Sequence, residues 1–211
     1  MDNSSSLLSG RISSFVTGTM CRGTIFFLED LEPLGIEPLT LRTVLCRMTE
    51  EDCFIVKLAR GVYCYPRVEE NSMKVLLPSE GEIAEALASR WHVRIAPCGA
   101  EAARLAGFTS LQTHPLTYLS DGSAQHFNLQ NGRRIEFVRR KSVKIFAFKD
   151  DRLRNLVEGM RYLGKDNIGE AEMRVASATL RKVWEEKPTD LFHDIRLAPV
   201  WIRDILTFLM S

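Results

Sequence analysis

The residues best suited to catalysis or metal binding are four histidines (His92, His114, His126, His193) and five cysteines (Cys21, Cys46, Cys53, Cys64, Cys98). Their spacing argues against both uses. No two histidines form an HxxxH or HExxH pair, and no CxxC occurs that could contribute half of a zinc site. A GxSxG nucleophile elbow and a GxxxxGKS/T phosphate loop are also missing. Glu80-Gly81-Glu82 and Glu170-Ala171-Glu172 have the spacing of a metal-binding acidic pair. Both fall at predicted helix starts, where acids simply complement the helix dipole. The expectation is a chain with no catalytic residues, no metal and no cofactor.

What remains is cationic chemistry, suited to binding phosphates or acidic surfaces. The chain carries 28 Lys/Arg and 27 Asp/Glu over 211 residues, unevenly distributed. Residues 1–70 hold 7 Lys/Arg against 10 Asp/Glu, while residues 71–150 hold 11 against 7. Within the second stretch, RRIEFVRRKSVKIFAFK (residues 133–149) has seven cations and one acid. Hydrophobic residues at 45% supply material for a core. No apolar run approaches the ~18–20 residues of a membrane span. The opening MDNSSSLLSGR lacks the basic and apolar regions of a secretory signal. Reduced thiols, a cytoplasmic location and no membrane partner are expected.

The elements that must position these cations can be read in order. Leu7, Leu8, Ile12, Phe15 and Val16 recur at helical spacing, predicting a helix over residues 5–17. TIFFLEDL (residues 24–31) reads as a short strand or the entry to a short helix. Pro38 suits the first turn of a third helix, LTLRTVLCRMTEEDC, with Leu41, Val44, Leu45 and Met48 on its apolar stripe. FIVKLARGVYCYP then reads as two strands joined through Arg60-Gly61. Helix, short helix, helix, hairpin is the plan of a winged helix-turn-helix, and a domain over residues 1–66 is expected. In that plan the third helix enters the major groove and the hairpin tip lies on the backbone. Arg42 and Thr43 would meet bases or phosphates, and Arg47, Lys57 and Arg60 mainly phosphates. The acidic balance of the region leaves a second option, a winged helix that contacts protein rather than DNA.

Residues 75–150 read as an α/β domain. Ser79 and Glu82 form a capping-box signature ahead of EIAEALASRW, VRIAP reads as a strand, and GAEAARLAG as a helix. TYLSDG, QHFNLQNG, RRIEFVRR and SVKIFAF are expected to build a small, mostly antiparallel sheet. Arg133, Arg134, Arg139, Arg140 and Lys141 are candidates for docking an acidic partner or RNA, or else a solvated sheet edge. From residue 151 the period is helical, and DRLRNLVEGMRYLG, GEAEMRVASATLRKVWEE and APVWIRDILTFLM are expected to pack on the middle domain. The fold class is α+β, multi-domain.

GTIFFLEDLEPLGIEPLTLRTVLCRMTEEDCFIVKLARGVYCYP resembles the N-terminal winged helix of AbiEi-type antitoxins of bacterial type IV toxin–antitoxin systems. LPSEGEIAEALASRWHVRIAPCGAEAARLAG is similar to the continuation of that family, and together these cover about residues 7–150. The resemblance implies an antitoxin and transcriptional autoregulator. Its winged helix would bind double-stranded promoter DNA, with two copies on a palindrome. Its second domain, related to the nucleotidyltransferase fold, would neutralise a nucleotidyltransferase-like toxin. An active nucleotidyltransferase-related enzyme is the remaining alternative. The acidic N-terminal region and the single arginine of the wing depart from what strong DNA binding requires.

Overall fold

The structure is a computed structural model that describes residues 3–51, 54–69, 71–140 and 143–211. It is α+β, and its contacts divide the chain into two compact units. Residues 1–87 and 127–133 form the first, and residues 88–126 and 134–211 the second. The expected three-part division differs from this one. Residues 75–87 and 127–133 group with the N-terminal segment, and the helical region 151–211 shares a unit with most of the middle segment.

The N-terminal unit runs α1 (Asn3–Thr19), β1 (Ile25–Phe27), a 3-10 helix (Leu28–Leu34), α2 (Pro38–Glu51), β2 (Val56–Ala59) and β3 (Val62–Cys64). Two short strands follow, β4 (Arg67–Val68) and β5 (Val75–Leu76), and then α3 (Glu80–Arg90) straddles the boundary. α2 starts at Pro38, and the Glu37 carboxylate accepts from the Thr40 amide at 2.8 Å, satisfying one of its open N–H groups. Leu41, Val44, Leu45 and Met48 are all buried along α2. They pack in one cluster with Ile12 and Val16 of α1, Phe26 of β1 and Leu31 of the 3-10 helix. Each such side chain contributes about 1.5–3 kcal/mol on burial.

The sheet of this unit has the order β1-β3-β2, antiparallel throughout. Lys57 lies opposite Tyr63, and Phe26 opposite Tyr63 on the other side, so these three share one sheet face. Phe26 and Tyr63 stack at 5.7 Å between ring centroids. The β2–β3 turn is Arg60-Gly61, and Gly61 takes a φ of +76°, which a side chain would strain. Residues 62–65 are buried without alternation, so both faces of β3 are covered. On the other edge of β2, Ala59 bridges to Leu129, and the Gln130 amide donates to the Leu58 carbonyl at 2.9 Å. The Ser79–Glu82 capping box forms as the sequence predicts, with the Ser79 amide 2.7 Å from Glu82 Oε2 and the Glu82 amide 3.2 Å from Ser79 Oγ.

The second unit contains β6 (Ile95–Pro97), α4 (Gly99–Ala106) and β7 (Leu116–Ser120). β8 (Gln125–Asn128) straddles the boundary, and β9 (Arg134–Arg139) follows. Next come a 3-10 helix (Val143–Ala147), α5 (Asp151–Leu163), a short 3-10 turn (Lys165–Asn167), α6 (Glu170–Glu186), α7 (Pro188–Leu197) and α8 (Val200–Phe208). Leu153, Leu156, Met160, Leu180, Val183, Leu191, Ile202 and Leu206 make the core of the helical part. α4 and α5 approach closely because their contact is built from small residues. A Cβ added at Gly159 would lie 3.0 Å from both the Ala103 Cα and the Phe108 ring. Buried carboxylates tie down the backbone. Asp194, fully buried, accepts from the Lys149 amide at 3.0 Å, the Asp150 amide at 2.9 Å, and contacts His193 Nδ1 at 2.9 Å.

In the sheet of order β6-β7-β9-β8, β6 and β7 are antiparallel and the central pair β7–β9 is parallel, Leu116 opposite Ile135 through Ser120 opposite Arg139. Two expectations are corrected. SVKIFAF, expected as a strand, forms a 3-10 helix over residues 143–147, with Ile145 packed against Ala96, Cys98 and Leu119. A short apolar run carries no periodicity that separates the two outcomes. From residue 151 four α-helices form where three are expected: the added one, α7, starts at Pro188, whose missing N–H has no consequence in a first turn.

Candidate nucleic-acid interface

Arg42, Lys57 and Arg60 come from three places in the N-terminal unit and line one concavity of about 460 Å³. α2 presents Arg42 and Cys46, one turn apart, on a face beside its apolar stripe. β2 presents Lys57 on the sheet face it shares with Tyr63, and the hairpin tip adds Arg60 and Gly61. Leu28 and Glu29 of the 3-10 helix complete the wall. The site is therefore a shallow basin between a helix and a two-residue turn, with three cations and one carboxylate. Its base is apolar, and burial raises the Tyr63 hydroxyl above its ordinary pKa of 10.0, keeping it protonated. It can accept an anion that reaches both helix and hairpin, and three cations here could hold one or two phosphates.

The other two expected DNA contacts do not line this basin. Thr43 is exposed on α2, but its hydroxyl donates to the Leu39 carbonyl at 2.9 Å. Arg47 is exposed one turn later, on the stripe of Thr43. Both lie on the outward side of α2, beside the basin rather than within it. Cys46, Tyr63 and Glu29 are lining residues that the sequence reading overlooked. Cys46 was recoverable from its i+4 spacing to Arg42, and Tyr63 from its register with Lys57.

The second expected cationic group is largely neutralised within the protein. Arg133 pairs with Glu80 at 2.8 Å in the N-terminal unit. In the second unit Arg134 pairs with Glu136 at 3.4 Å, and Arg140 with the buried Glu158 at 2.9 Å. Arg139 is exposed, and Lys141 lies outside the described residues. Of the four described residues, Arg133 thus belongs to the first unit and the other three to the second, and only Arg139 is outside these pairs. Among the described residues no group of three or more His, Cys, Asp or Glu side chains converges as a metal site would require. Also among them, no helix is long and apolar enough to cross a membrane.

No curated protein and no solved structure matches the chain. A family model does match, over residues 11–188, most of both units. The chain belongs to that family, DUF6088, a family of unknown function.

Proposed function

We propose that the N-terminal unit is a winged helix that binds duplex DNA, with α2 as the recognition helix and the β2–β3 turn as the wing. The observation that carries this reading is the convergence of Arg42, Lys57 and Arg60 on one basin. Phosphates along a groove are best held by cations offered from a helix and from a loop beside it. The element order and the β1-β3-β2 sheet support the same plan. Taken with the resemblance to AbiEi-type antitoxins, the reading extends to an antitoxin and autoregulator of a bacterial type IV toxin–antitoxin system. In it, two copies occupy a palindromic promoter, and the second unit, related to a nucleotidyltransferase-like fold, neutralises a nucleotidyltransferase-like toxin.

The test uses the full chain and a duplex from its own upstream region, followed by fluorescence anisotropy across a salt series. Arg60→Ala is expected to weaken binding at every sequence and to reduce the salt slope by about 0.9, one phosphate contact. Arg42→Ala is expected to cost about 1–3 kcal/mol and to relax sequence preference, as for an arginine on a base edge. The double variant should lose promoter repression while still protecting cells that express the neighbouring toxin. Absence of duplex binding at low salt refutes the DNA reading. A protein-contact role would then be favoured by Leu39, which stands 68% exposed on the first turn of α2.

A further inference from the structure

The second unit holds a separate cationic cavity whose five cations come from two stretches of sequence, residues 140–161 and 196–203. Arg140 after β9, Lys144 of the 3-10 helix, Arg161 of α5, Arg196 of α7 and Arg203 of α8 line a space of about 320 Å³. The only acid among the lining residues is Glu158. This carboxylate is 2% exposed, and it accepts from Arg140 Nη1 with both oxygens, at 3.1 and 2.9 Å, and from Arg161 Nη1 at 3.3 Å. It thus holds two guanidinium groups in place from behind. Each guanidinium has five N–H donors, so most of them remain for another partner. Lys144, Arg196 and Arg203 make no ion pair among the described residues. Five positive charges against one negative leave a large uncompensated excess in one small cavity, and like charges so close repel unless an anion joins them.

We propose that this cavity binds a small molecule carrying two or more linked phosphates. A single carboxylate or monovalent ion would leave most of the excess unmet. A terminal phosphate carries about −1.5 to −2 near neutral pH, so two or three phosphates match the excess. The volume is that of about ten water molecules in the liquid, ample for a pyrophosphate group. The amino end of α8 opens on the cavity at Pro199 and Val200, adding its dipole to the attraction. Ile145, Phe148 and Val157 form an apolar wall beside the cations, where a non-ionic part of the ligand would rest. Two sources share this chemistry, inorganic pyrophosphate and a nucleoside triphosphate, and the apolar wall favours the second.

The experiment is isothermal titration of the full chain in low salt with pyrophosphate and, separately, with ATP and GTP. Saturable binding is expected for all three, tighter for a nucleotide than for pyrophosphate. Arg196→Ala and Arg203→Ala should each weaken it about tenfold, the loss expected of one charge-assisted hydrogen bond. Neither arginine has an ion-pair partner among the described residues, so the variants should melt at the parent temperature. Arg181→Ala is the control: it is exposed on α6 but does not line the cavity, and it should bind as the parent does. The proposal is overturned if none of the three ligands binds. It is overturned equally if Arg181→Ala weakens binding as much as Arg203→Ala, which would place the ligand in the neighbouring cavity of about 690 Å³ that Arg181, Arg196 and Arg203 line together. Binding to single-stranded RNA with none to these small phosphates would also overturn it.

Discussion

In the N-terminal unit the notable arginines and lysine stand over an apolar core, whereas in the second unit several arginines are anchored to buried carboxylates. Arg42, Lys57 and Arg60 border a basin that also holds Tyr63, itself part of the apolar core with Leu31, Leu41, Leu45 and Phe26. In the second unit Glu158 and Asp150 are buried beneath Arg140, Arg161 and Arg152. Asp194 is buried as well and holds main-chain amides. The first arrangement separates roles: apolar side chains hold the fold, and the cations are left for contact. The second combines them, because removing a buried carboxylate disturbs both the backbone and the cations it orients. Loss of one partner in such a pair leaves the other desolvated and unmatched.

The largest expected effect tests that coupling. Asp194→Ala strips the acceptor from the Lys149 and Asp150 amides and should destabilise the second unit by about 2–6 kcal/mol in urea unfolding, about 1–3 for each amide left unmet. Arg42→Ala on the same assay should change stability by less than about 0.5 kcal/mol. Equal losses would erase the contrast between the units.

Acid titration gives a smaller effect. Arg152 donates to both oxygens of Asp150 and holds this carboxyl below its ordinary pKa of 3.8. The unfolded chain binds that proton more readily, so the stability it contributes is complete above the ordinary value. It is lost as the pH falls through the folded value. Asp150→Asn should therefore flatten the acid limb of the stability curve below about pH 4 while leaving its neutral part parallel to the parent's. An unchanged acid limb would show that Asp150 does not contribute this way.

The finest test uses thiols. Burial pushes Cys64 and Cys98 up to about 11, and both side chains are enclosed. Cys21 and Cys46 are exposed. With a thiol-specific reagent near pH 8 and peptide mapping, Cys21 and Cys46 should label first, Cys64 and Cys98 only on unfolding. Because Cys46 lines the basin, a bound duplex should slow its labelling and leave Cys21 unaffected. Equal slowing at both would count against contact in the basin.

Much of the N-terminal unit was legible because its signals are local. Pro38 and the Leu41–Met48 stripe mark α2, and Arg60-Gly61 marks the hairpin. From those two elements, three of the five expected DNA contacts, Arg42, Lys57 and Arg60, could be brought together without coordinates. The second unit resisted for the opposite reason. Nothing near Arg140 in sequence indicates that Glu158 will sit beneath it, or that Arg196 and Arg203 will join it across two helices. Counting charges along residues 133–149 suggested one basic strip, but the partners that neutralise it lie at positions 80 and 158. Parallel pairing of β7 with β9 was similarly hidden, since the Asp121-Gly122 and Asn131-Gly132 turns are equally compatible with a simple meander.

The grouping of residues 127–133 with the N-terminal unit has a practical meaning for dissecting this protein. The chain leaves the first unit after residue 87, returns to it at 127 and departs again after 133. No single cut can therefore yield either unit whole. A truncation after residue 66 would remove residues 127–133 and leave the Leu58 carbonyl without the Gln130 amide. Isolating the second unit calls for two operations, removal of the first 87 residues and replacement of 127–133 by a short turn joining His126 to Arg134. The two halves behave as interleaved text rather than successive chapters, and any fragment swapped into another protein must respect that stitching.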